Sequence, residues 1–150
     1  MMIEGVKNLP VNTYVDDRGY LTQIVQESDD AMPPIKRIYV TGNFSKGIIR
    51  GYHKHSREWK GFFVPSGAAK FVLVDDRKES KTYKQIDTFV MSPASPSILV
   101  IPTGVYNGWM SLADNTIVMG ISSDVFDRKN PDDERIPPDA YGDVWTVKGR

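Results

Sequence analysis

Both histidines of this chain fall in one short run, Arg50-Gly51-Tyr52-His53-Lys54-His55, and Arg57, Glu58 and Lys60 follow directly. Imidazole changes protonation near neutral pH, so such a cluster suits a general base or a metal site. If residues 47–54 form a strand, alternation sends Arg50, Tyr52 and Lys54 to one face. Gly51, His53 and His55 then share the other, and the two rings look into the same space. H-x-H on a strand is a recurrent metal-ligand geometry. The plainer reading has both rings donating to backbone carbonyls inside a packed barrel, and it stands beside the chemical one.

The rest of the chain must position this cluster, and its pattern is that of strands. Apolar runs of four to eight residues, rich in Val, Ile, Phe and Tyr, alternate with Gly, Pro, Asp, Asn and Ser. The spacing predicts strands at 11–15, 20–26, 36–41, 47–54, 60–65, 68–75, 84–91, 98–101, 106–112, 116–123 and 143–147. Turn signals such as Asp17-Arg18-Gly19 and Pro65-Ser66-Gly67 bound them. Phe71 to Val74 and Ile117 to Ile121 are apolar on both faces, as central strands of a double-layered structure would be. Residues 27–34 and 127–140 read as long loops. A small barrel open at one end offers a concave site, and three tryptophans and seven tyrosines are available to line it.

Composition narrows the function. Lys+Arg and Asp+Glu number 19 each, so no overall field draws the chain to nucleic acid or an anionic membrane. With no cysteine, disulfides and thiolate metal sites are excluded. No apolar stretch reaches the length of a membrane span or a signal-peptide core, and a cytoplasmic location is the expectation. At 150 residues the expectation is a single domain, 1–150, around one core.

Gly47, His53, His55 and Gly67 resemble the first motif of the cupin superfamily, and Pro102-Thr103-Gly104-Val105-Tyr106-Asn107 resembles the second. The resemblance implies an all-β, cupin-type double-layered barrel, or jelly roll. Two of the four metal-ligand positions of those motifs are lost here. Lys60 stands where the glutamate ligand belongs, and Asn107 replaces the last histidine, while Glu58 is two residues early and expected to face away. The expectation is therefore a site with no metal and no cofactor.

Over nearly its whole length the chain resembles the dTDP-4-dehydrorhamnose 3,5-epimerases, a metal-free branch of that superfamily. The matching pieces, in shared order, are Asp17 to Tyr20, Asn43 to Ser45, Gly47 to His53, Val74 to Arg77, Ser80 to Tyr83, Ile101 to Gly104, and Asp139 to Trp145. The resemblance implies a nucleotide-diphosphate sugar as ligand and His53 as catalytic base. A C4 ketone acidifies the hydrogens on C3 and C5, and a neutral imidazole removes one to leave an enolate. Lys60, at the family's lysine position, would face the enolate oxygen. Arg50 would bind the diphosphate, and His55 and Asn107 would contact the substrate. Arg18 and Gln23 would reach the nucleotide-sugar, across the interface of a homodimer. Asp139 or Asp75 would orient His53, with Asp139 carried forward as the third catalytic residue.

Two departures stand out. The family's proton-donating tyrosine, in the motif preceding T-T-D, is Gly120 here, before Ser122-Ser123-Asp124, and Asn107 replaces the histidine of P-x-G-x-x-H. Tyr39, Tyr52, Tyr106 and the surroundings of Phe126 are the candidates to rebuild an acid. Arg37-Ile38-Tyr39 together with Arg50 to His55 also resembles the nucleotide-sugar 3,4-ketoisomerases, which use a histidine and a tyrosine on one sugar face. A sugar-nucleotide binder without turnover is the third possibility.

Overall fold

The computed structural model describes residues 1–150 and contains twelve strands and one turn of 3-10 helix, Glu27–Asp29. The strands are β1 (Lys7–Pro10), β2 (Asn12–Asp16), β3 (Gly19–Gln23), β4 (Arg37–Asn43), β5 (Ile49–Lys54) and β6 (Lys60–Ser66). They continue with β7 (Ala69–Asp75), β8 (Ile86–Met91), β9 (Ser97–Ile101), β10 (Val105–Ser111), β11 (Thr116–Ser122) and β12 (Glu134–Arg135). Two five-stranded antiparallel sheets form, in the orders β1-β9-β6-β11-β4 and β12-β5-β10-β7-β8, with β2 and β3 as a separate hairpin. This is the all-β, double-layered arrangement the spacing predicts.

Apolar side chains from both sheets make the core. Phe62, Val64, Leu99 and Val118 of one sheet cluster with Phe71, Leu73, Val105 and Trp109 of the other, and Phe71 lies 5.3 Å from Phe62 and 6.4 Å from Trp109. A second cluster on the outer side of the β5 sheet gathers Tyr52, Val72, Val74, Tyr106, Met110 and Trp145. Strand β7 is therefore covered on both faces, as its sequence requires. In β11 one face is only partly covered, because Ile117 is exposed and Met119 half-buried.

Three expectations change. Residues 143–147 form no strand; Trp145 instead fills the second cluster, 5.4 Å from Tyr52, and its indole N–H donates to the Pro138 carbonyl at 2.8 Å. Strands β1 and β12 have little apolar pattern to announce them. β1 exists through its register with β9, Lys7 opposite Val100 to Pro10 opposite Ser97. β12 pairs Glu134 with Lys54 and Arg135 with His53, so the loop at 127–140 closes onto the strand that carries the histidines.

Candidate functional site

Strand β5 does not alternate regularly. Asn107 of β10 pairs with His53 and Trp109 with Arg50, so two steps on one strand oppose three on the other. The extra residue is a bulge, which resets the side-chain phase. Gly51 allows it: φ is +145°, and a Cβ there would lie 2.5 Å from the Gly108 Cα. The consequence corrects the simple alternation. Arg50 joins His53 and His55 on the inner face, while Tyr52 points into the second cluster.

That inner face borders a cavity of about 280 Å³ between the sheets. Strand β4 contributes Arg37, Tyr39 and Thr41 on alternate positions, β6 contributes Lys60 and Phe62, and β10 contributes Asn107 and Trp109. Residues 125–127 and the pair Asp132 and Asp133 close the rim.

The two aspartates organise both histidines. The His53 Nδ1 lies 2.9 Å from the Asp133 Oδ1. Burial alone would raise the Asp133 carboxyl, but the Arg135 guanidinium and His53 together hold it below its ordinary value. An ionised carboxylate only accepts, so in the neutral ring Nδ1 carries the proton and Nε2 keeps a free lone pair. His55 Nδ1 donates to the Asp132 carbonyl. The Asp132 carboxylate accepts the backbone N–H groups of Ser56, Arg57 and Glu58 at 2.7–3.0 Å, fixing the loop between β5 and β6. Those bonds outweigh burial and hold its carboxyl far below the usual range. Asp139 and Asp75 do not approach His53. Asp139 lies beside Trp145 at a separate surface cavity, and Asp75 is fully buried among Arg77, Ser80 and Thr82. Neither carboxylate bonds the ring, and Asp133 is the one that does.

Glu58 turns inward, against the expectation from its position. The loop that Asp132 fixes removes it from strand alternation altogether. One oxygen lies 2.8 Å from Lys60 Nζ and 3.2 Å from His55 Nδ1, and the other accepts from Arg37 at 3.2 Å and from the Ser122 hydroxyl. Lys60 is buried, with 4% of its surface exposed, and Glu58 is its ion-pair partner. Burial, reinforced by the Lys60 charge, pushes His55 below the usual imidazole value despite the Asp132 carbonyl. Arg50 is held over the cavity by Asn43 Oδ1 at 2.7 Å and the Gly42 carbonyl at 3.1 Å. Asn107 lines the cavity and donates to the His53 carbonyl at 3.1 Å, tying β5 to β10.

Arg18 and Gln23 stand apart from this assembly. Arg18 is exposed at the tip of the β2–β3 hairpin, paired with Asp16, and Gln23 ends β3 beside a separate crevice. Of the three candidate tyrosines only Tyr39 lines the cavity, and Phe126 and Asp127 lie at its rim. Tyr52 and Tyr106 belong to the second cluster, where burial pushes each phenol up to about 12. Asp133, Asp132 and Arg37 were not singled out as site residues from the sequence. Their signal was the acidic run Asp132-Asp133-Glu134 inside a proline-bounded loop, and an arginine two residues before a tyrosine on a strand.

The fold and the cavity together define a small cupin whose inner face carries a carboxylate-oriented histidine beside a buried lysine. A sequence model described as dTDP-4-dehydrorhamnose 3,5-epimerase matches residues 1–140, and the chain belongs to that family of sugar-nucleotide epimerases. It is 30% identical over 152 residues to the spore coat polysaccharide biosynthesis protein SpsL of Bacillus subtilis, covering 99% of this chain and 100% of SpsL. It is 28% identical to the probable low-salt glycan biosynthesis epimerase Agl13 of Haloferax volcanii, over 89% of this chain and 86% of that one. The crystal structure of dTDP-4-dehydrorhamnose 3,5-epimerase from Bacillus anthracis, with TDP and PPi bound, superposes with a TM-score of 0.86 at 25% identity. It covers 99% of this chain and 90% of that one.

Proposed function

We propose that this protein epimerises a nucleotide-linked 4-keto-6-deoxysugar as a homodimer, with His53 as base, Asp133 as its orienting carboxylate and no metal. The observation that carries the reading is the His53–Asp133 pair at 2.9 Å on the wall of a cavity that also holds Lys60. The Nε2 lone pair removes a hydrogen from the carbon beside the ketone, and the electron pair moves to the carbonyl oxygen as an enolate. Lys60 supplies positive charge for that oxygen from a site already shielded from water. Its ammonium also neutralises Glu58, the carboxylate a cation would otherwise draw on. Arg50 and Arg37 line the same cavity and suit a diphosphate. The relatives, which include a polysaccharide biosynthesis protein and a probable glycan biosynthesis epimerase, support a sugar-nucleotide substrate.

The test is solvent deuterium exchange into dTDP-4-keto-6-deoxyglucose, followed by NMR. Label at C3 or C5, lost in His53→Asn, supports epimerisation through an enolate. A carbonyl found at C3 in the product would indicate ketoisomerisation instead. Binding without exchange would reduce the protein to a sugar-nucleotide binder.

A further inference from the structure

Gly120 sits in the middle of one sheet, between β4 and β6. Gly120 of β11 lies directly opposite Tyr39 of β4 and Phe62 of β6. Directly opposed residues in an antiparallel sheet project to the same face. Tyr39 and Phe62 both line the cavity, so position 120 also faces it. A Cβ built on Gly120 would fall 2.2 Å from the Tyr39 Cζ and 2.6 Å from its hydroxyl oxygen. The Tyr39 ring therefore occupies the volume into which any side chain at 120 would grow. Gly120 has no positive φ, so backbone conformation does not call for a glycine there. The space taken by the phenol does.

Two cations hold the ring. The Lys60 ammonium sits 5.0 Å from its centroid and the Arg37 guanidinium 5.3 Å, distances at which a cation is drawn to an aromatic face. Both cations are in turn fixed on Glu58. The hydroxyl is thus presented to the cavity by an ion cluster shared with the site of the base.

We propose that Tyr39 is the proton donor of the reaction, on a strand of its own and seated by the absence of a side chain at Gly120. This rests on the epimerase reading above. His53 takes the carbon-bound proton, and the C–H electron pair becomes the enolate. The Tyr39 O–H bond then breaks, its proton passes to the enolate carbon, the enolate pair forms the new C–H bond and the carbonyl returns. Tyr39 is left as phenolate and His53 as imidazolium. Transfer of one proton from imidazolium to phenolate through solvent restores both, so no other reactant is consumed.

Tyr39→Phe removes only the hydroxyl and keeps the ring over Gly120. With dTDP-4-keto-6-deoxyglucose in deuterium oxide, we expect this variant to form epimerised product at least a hundredfold more slowly than the unaltered protein. Exchange of label at the carbon deprotonated by His53 should fall far less, because proton removal is retained. A merely structural tyrosine would lower both by the same factor. The companion variant Gly120→Ala, which pushes a methyl group into the ring, should displace the phenol and be slowed as well, while Tyr39→Phe/Gly120→Ala should be no slower than Tyr39→Phe alone. Equal product rates in Tyr39→Phe and the unaltered protein would overturn the assignment and leave the epimerase reading intact. An unaltered protein that neither exchanges nor converts the substrate overturns both.

Discussion

Asp133, in the loop just before the two-residue strand β12, and His53, on β5, meet at 2.9 Å and define the direction of the base. The pairing depends on β12, because Arg135 lies in register with His53 and its side chain also holds Asp133 at 2.6 Å. Asp133→Asn keeps the size but lets the group donate as well as accept, so it no longer dictates which ring nitrogen carries the proton. We expect kcat to drop by about 10²–10⁴-fold, the range such a base contributes, with little change in KM. Steady-state kinetics on the 4-keto substrate reads this directly. An Asp139→Asn variant made in parallel should stay within about twofold of the original, since that carboxylate lies beside Trp145 on the other side of the sheet.

How much of this was legible in the residues can be told from β5. Its histidines and the apolar strands around it announce themselves through type and period 2, and the inward lysine through the family resemblance. The bulge does not, because a single glycine inside a strand pattern says only that something approaches closely. Gly108 of β10 is what approaches, and it comes from another part of the chain. The loop contribution was hidden for a related reason. Asp132 and Asp133 sit in a polar, proline-bounded stretch with no periodicity, and they reach His55 and His53 across 77 and 80 residues of sequence. Contacts of that range are set by the closure of β12 onto β5, which its two exposed polar residues do not signal.

The bulge gives a stability prediction. Gly51→Ala places a methyl group 2.5 Å from the Gly108 Cα at a φ of +145° that alanine avoids. Backbone on both sides leaves no flexible side chain to give way. We expect a loss of about 2 kcal/mol or more and a Tm lower by about 5 °C or more in differential scanning calorimetry. Arg50 should also lose its place in the cavity, so weaker binding of dTDP by titration calorimetry should accompany the loss. A variant that melts with the original protein would mean that β5 has a regular register.

Asp75 predicts an acid limit to stability. Fully buried, it accepts from Arg77, Ser80 and Thr82, and these bonds outweigh burial and depress its carboxyl well below the ordinary value. A depressed folded-state pKa means stability that is present above the unfolded value of ~3.9 and lost as pH falls toward the folded one. The urea midpoint should therefore fall steeply below about pH 4. Asp75→Asn should cost about 2–3 kcal/mol at neutral pH and flatten that acid slope. Urea titrations of both proteins between pH 3 and 7 measure it, and parallel slopes would move the acid sensitivity to other carboxylates.

The β2–β3 hairpin argues for a second copy of the chain. Tyr14, Val15, Tyr20 and Leu21 are each more than 60% exposed on it, and Ile38 and Val40 are similarly exposed on β4. β4 is the last strand of its sheet, so its outer backbone edge is unpaired too. Apolar side chains on a free hairpin and beside an open edge are costly to leave in water and prone to associate. A twofold arrangement in which each hairpin packs on the partner's sheet would cover both, and would carry Arg18 and Gln23 away from their own chain, where neither lines the cavity. Sedimentation at micromolar concentration should give a particle of twice the 16.9 kDa chain mass. Val15→Glu/Leu21→Glu should shift it to the single-chain mass and weaken dTDP binding, whereas Arg18→Ala should weaken binding and leave the mass unchanged. A particle of single-chain mass in the unaltered protein would contradict the dimer and confine the ligand contacts to one chain's own cavity.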